Sequence, residues 1–100
     1  MFGLISRMRA QAGRRGELME ILLASTGSMP GCLSYIVAED AADADAIWIT
    51  EIWEDEASHK ASLSLPVVQA AIGRAKPMIA GFEAQTRTRP LGGAGLSVPR

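Results

Sequence analysis

Residues 46–54 read AIWITEIWE, and large apolar side chains fall on both phases of the alternation. In an extended segment Ile47, Ile49, Glu51 and Trp53 share one side, and Trp48, Thr50 and Ile52 share the other. A strand that is apolar on both sides has to be covered on both sides. In a chain of 100 residues that demand is severe. A domain of this size buries only about 60–65% of its unfolded surface. One layer of helices can cover one face of a sheet, and the other face needs a second source of cover.

The rest of the chain supplies three further strands and two helical stretches. Residues 2–10 alternate, with Leu4, Ser6 and Met8 on a mostly apolar phase against Ile5, Arg7 and Arg9. Residues 17–25 place Leu18, Ile21, Leu22 and Ser25 at helical spacing, and Gly27 with Pro30-Gly31 ends that element. Residues 32–39 form a second strand, with Leu33, Tyr35 and Val37 on one side and Cys32, Ser34, Ile36 and Ala38 on the other. A polar hairpin over 40–45 leads into the double-sided third strand. Asp55 is a suitable N-cap for a short helix to about Leu63, and Pro66 opens a second helical piece that Lys76-Pro77 stops. The last strand lies within 79–89, with Phe82, Ala84, Thr86 and Thr88 on one phase and Glu83, Gln85, Arg87 and Arg89 on the other.

The order strand, helix, strand, strand, helix, strand predicts an α+β domain. Its economical form is the ferredoxin-like split βαβ, a four-stranded antiparallel sheet with helices on one face. The bare face is then expected to meet a second copy in an isologous homodimer, a dimeric α/β-barrel assembly. Residues 1–89 form the expected domain. Residues 90–100, PLGGAGLSVPR, have no periodicity and read as a flexible tail.

Composition excludes several classes. The chain is 48% hydrophobic and 21% charged with a net charge of -1, which is globular and carries no nucleic-acid footprint. Eight of the eleven acids lie between Glu39 and Glu56, while basic residues gather at both ends of the chain. That split predicts basic strands lying beside an acidic one. No apolar run nears the roughly 18 residues of a membrane span, and the stretch before Ser6 and Arg7 is too short for a secretory leader. The single Cys32 has no disulfide partner, so a cytoplasmic, reducing compartment is expected. One His and one Cys are too few for a zinc site. The sequence holds no nucleotide, flavin or nucleophile-elbow signature, so no cofactor is expected.

The candidate chemistry clusters around the third strand. Trp53 offers a flat apolar wall and one N–H donor. Glu51 shares its face. Its first reading is a cross-strand ion pair with Arg7, Arg9 or Arg87; buried beside a pocket, it would be a base with a raised pKa. His59 is the only histidine, with Ser62 on nearly the same helical face; an imidazole there can take a proton from a phenolic hydroxyl. Tyr35 can donate into the same cavity if its phase faces the helices. The five methionines read as core and loop fillers.

Three stretches, PGCLSYIVAED, ITEIWEDEASHKASLSLPVVQAAI and KPMIAGFE, resemble the antibiotic biosynthesis monooxygenase family, in the branch named for quinol oxidation. The likeness runs over about residues 2–89. It implies a ferredoxin-like homodimer that oxidises a small aromatic substrate with O₂, using neither metal nor flavin. Trp53 matches the family's pocket tryptophan, and His59 falls on the helix that carries a histidine nearer the position of Ser62 in many members. Ile49 stands where well-studied members place an Asn, within the substrate pocket. That departure argues against anthrone-type oxygenation and against the haem-degrading branch. The expected function is a cofactor-independent monooxygenase of a quinol or phenolic aromatic, with Trp53 and His59 catalytic and Tyr35, Glu51, Ser62 and Ile49 against the substrate. The alternatives are a non-catalytic dimeric ligand-binding or stress-response protein, and an isomerase in which His59 moves a proton.

Overall fold

A computed structural model of the chain describes residues 1–27 and 29–96. The elements run β1 (Phe2–Ala10), α1 (Arg15–Ala24), β2 (Cys32–Glu39), β3 (Ala46–Trp53), α2 (Glu56–Ser62), α3 (Pro66–Ala75), a single 3₁₀ turn (Lys76–Met78) and β4 (Ile79–Thr88). The four strands form one antiparallel sheet in the order β2-β3-β1-β4, with the two most buried strands at its centre. This is the expected α+β ferredoxin-like architecture. The third-strand and helix boundaries move from the sequence reading by one or two residues, as frayed ends do.

The pairing register decides what each face holds. On the helix side Ile47, Ile49, Glu51 and Trp53 of β3 lie opposite Met8, Ser6, Leu4 and Phe2 of β1. The core occupies one end of this face. Met8, Ala10, Leu18, Ile47, Ile49 and Ala75 are all buried there, and Leu18 of α1 and Ile47 are fully sealed from solvent. Burying a leucine or isoleucine of that kind is worth about 1.5–3 kcal/mol, so this end carries much of the domain's hydrophobic stabilisation.

The opposite face carries two distinct zones. At one end Arg7 reaches Glu83 at 2.6 Å and Asp43 at 3.3 Å, and Arg9 reaches Asp43 at 2.5 Å. Trp48 donates its indole N–H to Asp40 at 2.8 Å, and the Arg7 guanidinium lies 5.7 Å above its ring. The charge split therefore resolves as ion pairing between strands β1 and β4 and the β2–β3 hairpin. At the other end Ile36, Thr50, Ile5 and Thr86 form one row across all four strands, and Ile36 is 58% exposed.

Two irregularities invert phases that the sequence reads as continuous. A bulge at Glu83 lies between the pairs Arg7↔Ala84 and Met8↔Phe82. Phe82 therefore joins Gln85 on the helix side, and Glu83 joins Ala84 and Thr86 on the other. A second shift between Cys32 and Ser34 sets Cys32 opposite Trp53. After β4 the chain has no regular element through Leu96, and Leu91 is 90% exposed. The final part of the expected tail, residues 97–100, lies outside the described residues.

Candidate functional site

Beside this core, toward Leu4, Glu51 and Trp53, the helix-side face is hollow. A cavity of 410 Å³ lies between the sheet and the helices, within the roughly 300–1,000 Å³ typical of ligand pockets. Its floor is made by Leu4, Ser6, Ile49, Glu51 and Trp53, its roof by Leu22, Val68 and Ile72, and Leu63 and Phe82 border its exposed mouth. The floor is flat because β1 and β3 alternate without interruption there. Helices α1 and α3 supply that roof; α2 is only seven residues long, and Pro66 opens α3 as a separate helix at its first turn.

Glu51, Trp53 and His59 converge at one end of the cavity. The Trp53 indole N–H donates to Glu51 Oε1 at 3.1 Å, and both residues are buried. His59 Nε2 lies 3.7 Å from the same carboxylate oxygen. That separation exceeds a direct hydrogen bond, and it leaves both groups able to engage a third oxygen atom lying to one side of the pair. The imidazole is held by stacking. Its ring centre is 5.5 Å from Trp53, edge-on at 66°, and 5.5 Å from Phe2, tilted at 34°. Helix α2 sets its position: Asp55 accepts from the Ser58 backbone N–H at 2.7 Å and caps the helix one turn before His59.

The electrostatics follow from the greasy surroundings. Burial pushes the Glu51 carboxyl above its ordinary value; the Trp53 hydrogen bond and then the nearby His59 pull against that rise. Tyr35 sits opposite Glu51 in the β2–β3 register, and burial followed by the Glu51 charge drives its phenol upward. Tyr35 is thus a neutral donor at physiological pH. The ion pair first expected for Glu51 does not form. Arg7 and Arg9 lie on the opposite face of the sheet with Asp43 and Glu83, and Arg87 pairs with Glu56 at 2.9 Å. An arginine on β1 must choose a face by parity, and Arg7 and Arg9 have the parity opposite to Leu4, which faces Glu51.

All six residues singled out in the sequence, Trp53, His59, Tyr35, Glu51, Ser62 and Ile49, line this one cavity. Ser62 lines it with its hydroxyl already engaged, donating to the His59 carbonyl at 2.6 Å. It stiffens the turn under His59 and is no free donor. Ile49 gives the floor a hydrocarbon surface. The sequence reading missed Phe2, Ser6 and Gln85. Ser6 could have been noticed, because it is the one polar residue on the apolar phase of β1. Among the described residues no cluster of three His, Cys, Asp or Glu could hold a metal ion, and no helix is long and apolar enough to cross a membrane.

Comparison with known proteins agrees with this geometry. The family profile described as "Antibiotic biosynthesis monooxygenase" matches residues 1–74. A Chloroflexus aurantiacus J-10-fl structure, provisionally named for that family, is 54% identical, with a TM-score of 0.93 over 96% of this chain and 98% of its own. A Deinococcus radiodurans structure, named in the same provisional way, is 26% identical, with a TM-score of 0.76 over 93% of this chain and 95% of its own. A Mycobacterium tuberculosis protein at 22% identity shares the fold, with a TM-score of 0.76 over 93% of this chain and 97% of its own. No curated protein matches the sequence significantly. With the profile covering most of the domain and a close structural relative spanning nearly all of it, the chain belongs to the antibiotic biosynthesis monooxygenase family.

Proposed function

We propose that this protein is a homodimeric monooxygenase that oxidises a phenolic or quinol aromatic with O₂ inside the cavity. The observation that carries the reading is the Glu51–Trp53–His59 cluster at one end of an apolar hollow of aromatic size. An aromatic ring fits the hydrocarbon floor of Leu4 and Ile49, and its hydroxyl lies alongside Glu51 and His59, within reach of both. The buried pair takes the hydroxyl proton, and Tyr35 hydrogen-bonds the resulting oxyanion. The phenolate then gives one electron to O₂. The aryloxyl radical and superoxide combine at a ring carbon, and the peroxide loses water to leave the oxidised ring. One oxygen atom enters the product and the other leaves as water, so the substrate supplies all the electrons. The protein's part is to desolvate, orient and deprotonate. The unpaired Cys32 fits a cytoplasmic setting, and the exposed row around Ile36 fits burial against a second copy.

Oxygen uptake tests this directly. With 1,4-dihydroxynaphthalene the protein should consume O₂ well above the uncatalysed rate. His59→Ala should lower kcat about 100-fold, the usual contribution of a positioned base. Trp53→Phe, which removes the indole donor to Glu51 and keeps the ring, should lower it less. Uptake no faster than the buffer blank would overturn the monooxygenase reading. Ile49 favours a second reading, a non-catalytic binder of aromatics, because it puts hydrocarbon where oxygenases of the family carry an amide. That protein would show ligand-dependent tryptophan quenching with no oxygen uptake.

A further inference from the structure

The cavity has a second polar pole, and no step of the proposed chemistry uses it. Across the floor, pairing places residues in rows. One row is Tyr35, Glu51, Leu4 and Arg87; the next is Val37, Ile49, Ser6 and Gln85. Ser6 lies on the central strand and is 5% exposed, and its side chain lines the cavity. Among the described residues its hydroxyl has no hydrogen-bond partner, and it is open to the hollow, since no fully enclosed side-chain polar atom there is left unpartnered. A hydroxyl opening onto an apolar hollow is met by water until a ligand displaces it, and that ligand must then replace the lost hydrogen bond. Gln85 is its direct neighbour on β4 and lines the same cavity. It faces inward only because the bulge at Glu83 resets the phase of β4.

The two poles are set apart by the sheet itself. Ser6 is the diagonal neighbour of Glu51, a relation that separates residues by about 7–8 Å, and Gln85 is one strand further. Leu4 and Ile49 fill the other diagonal with hydrocarbon. A ring lying on those two side chains presents one edge to Glu51 and His59 and the opposite edge to Ser6 and Gln85. We infer that Ser6 and Gln85 are specificity-determining residues that hydrogen-bond a second oxygen function, placed across the ring from the hydroxyl that Glu51 and His59 engage. The inference rests on the proposed binding of an aromatic hydroxyl in this cavity. It adds that the ligand carries its oxygens para to one another. It also accounts for Ile49: the polar group absent from β3 is supplied one and two strands away.

Anaerobic binding separates this inference from the reading beneath it. Quenching of tryptophan fluorescence is measured with 1,4-dihydroxynaphthalene, 1,2-dihydroxynaphthalene and 1-naphthol. The wild-type protein should bind the 1,4-isomer about tenfold more tightly than either other probe, as one to two hydrogen bonds predict. Ser6→Ala with Gln85→Leu should erase that preference and leave 1-naphthol affinity unchanged within about twofold. Circular dichroism and the Gln85→Leu single variant, at an exposed edge-strand position, check that the fold survives. If the wild type binds all three probes equally, or the variants weaken all three alike, the second pole plays no part in recognition while the cavity reading stands. If none of the probes binds the wild type, both fall.

Discussion

At the scale of single residues, the site works against the stability of the domain. Burial has raised the Glu51 carboxyl, so the folded state holds that proton more tightly than the unfolded chain does. The folded state is then favoured below the ordinary glutamate value, and this contribution falls as pH rises through the folded value. Glu51→Gln keeps an acceptor for the Trp53 indole and removes the charge. It should raise the melting temperature at pH 8 by about 4–8 °C, which is what roughly 1 kcal/mol does in a domain of this size, and flatten the pH dependence of melting. Under the proposed mechanism oxygen uptake by the variant should drop at least tenfold, because one half of the proton-accepting pair is gone. Calorimetry at pH 5 and pH 8 with parallel rate measurements checks both halves; a variant less stable at pH 8 would contradict the burial argument. Trp53, Glu51 and Ile49 were legible as one face because β3 alternates without a break. His59 was legible as a candidate by its chemistry alone, whereas its stacking on Phe2 depends on how the chain termini of β1 and β3 meet, which no local pattern encodes.

At the scale of elements, the turn before β2 and the short helix α2 act as one unit. Gly31 has φ +81, and a Cβ there would lie 2.5 Å from Ser58 Oγ and 2.6 Å from Ser58 Cβ. The turn thus packs directly beneath the residue preceding His59. Gly31→Ala should cost at least about 1 kcal/mol for the backbone alone, and it should push α2 outward. Catalytic rate should then fall more than stability explains. Gly73 is the contrasting case: it lies within α3 with nothing near its Cβ position, so Gly73→Ala should stabilise by about 0.5–1 kcal/mol with the rate unchanged. Thermal melts of the two variants should therefore move in opposite directions. The same scale shows where sequence reading stops. The phases of β1 and β3 are uninterrupted and could be read directly. Those of β2 and β4 are reset at Leu33 and Glu83, and a bulge is set by how a strand pairs with its neighbour, here by Arg7 and Arg9 drawing Glu83 to their side. Gln85 was therefore expected to lie on the face opposite Phe82, and its place in the cavity could not be foreseen.

At the scale of the whole molecule, the double-sided apolarity of β3 is met on one side by the helices and on the other by a face of mixed character. The ionic end of that face largely covers itself: Arg7 lies over Trp48, and Asp40 and Asp43 tie the β2–β3 hairpin to β1. The apolar end, with Ile36, Ile5 and Ile52, has no such cover, and under the proposed assembly it meets its own copy across a two-fold axis. The two ends should respond to different perturbations. Ile36→Glu places a charge in the apolar end and should yield a monomer by light scattering, with the circular dichroism spectrum of the wild type retained. Acid should act on the ionic end. The hydrogen bond from Arg9 holds the Asp43 carboxyl down to about 2, and that from Trp48 lowers Asp40 as well. Carboxyls depressed in this way stabilise the fold fully above their unfolded value near 3.8 and lose that contribution as pH falls toward the folded value. Melting temperature should therefore show no acid loss from this lattice down to about pH 4, then drop steeply between pH 4 and 2. In Asp43→Asn the drop should be shallower, from a lower plateau. A wild-type chain that sediments as a monomer at micromolar concentration, with Ile36→Glu indistinguishable from it, would overturn the proposed two-fold assembly and mean that the exposed row at Ile36 is tolerated in water.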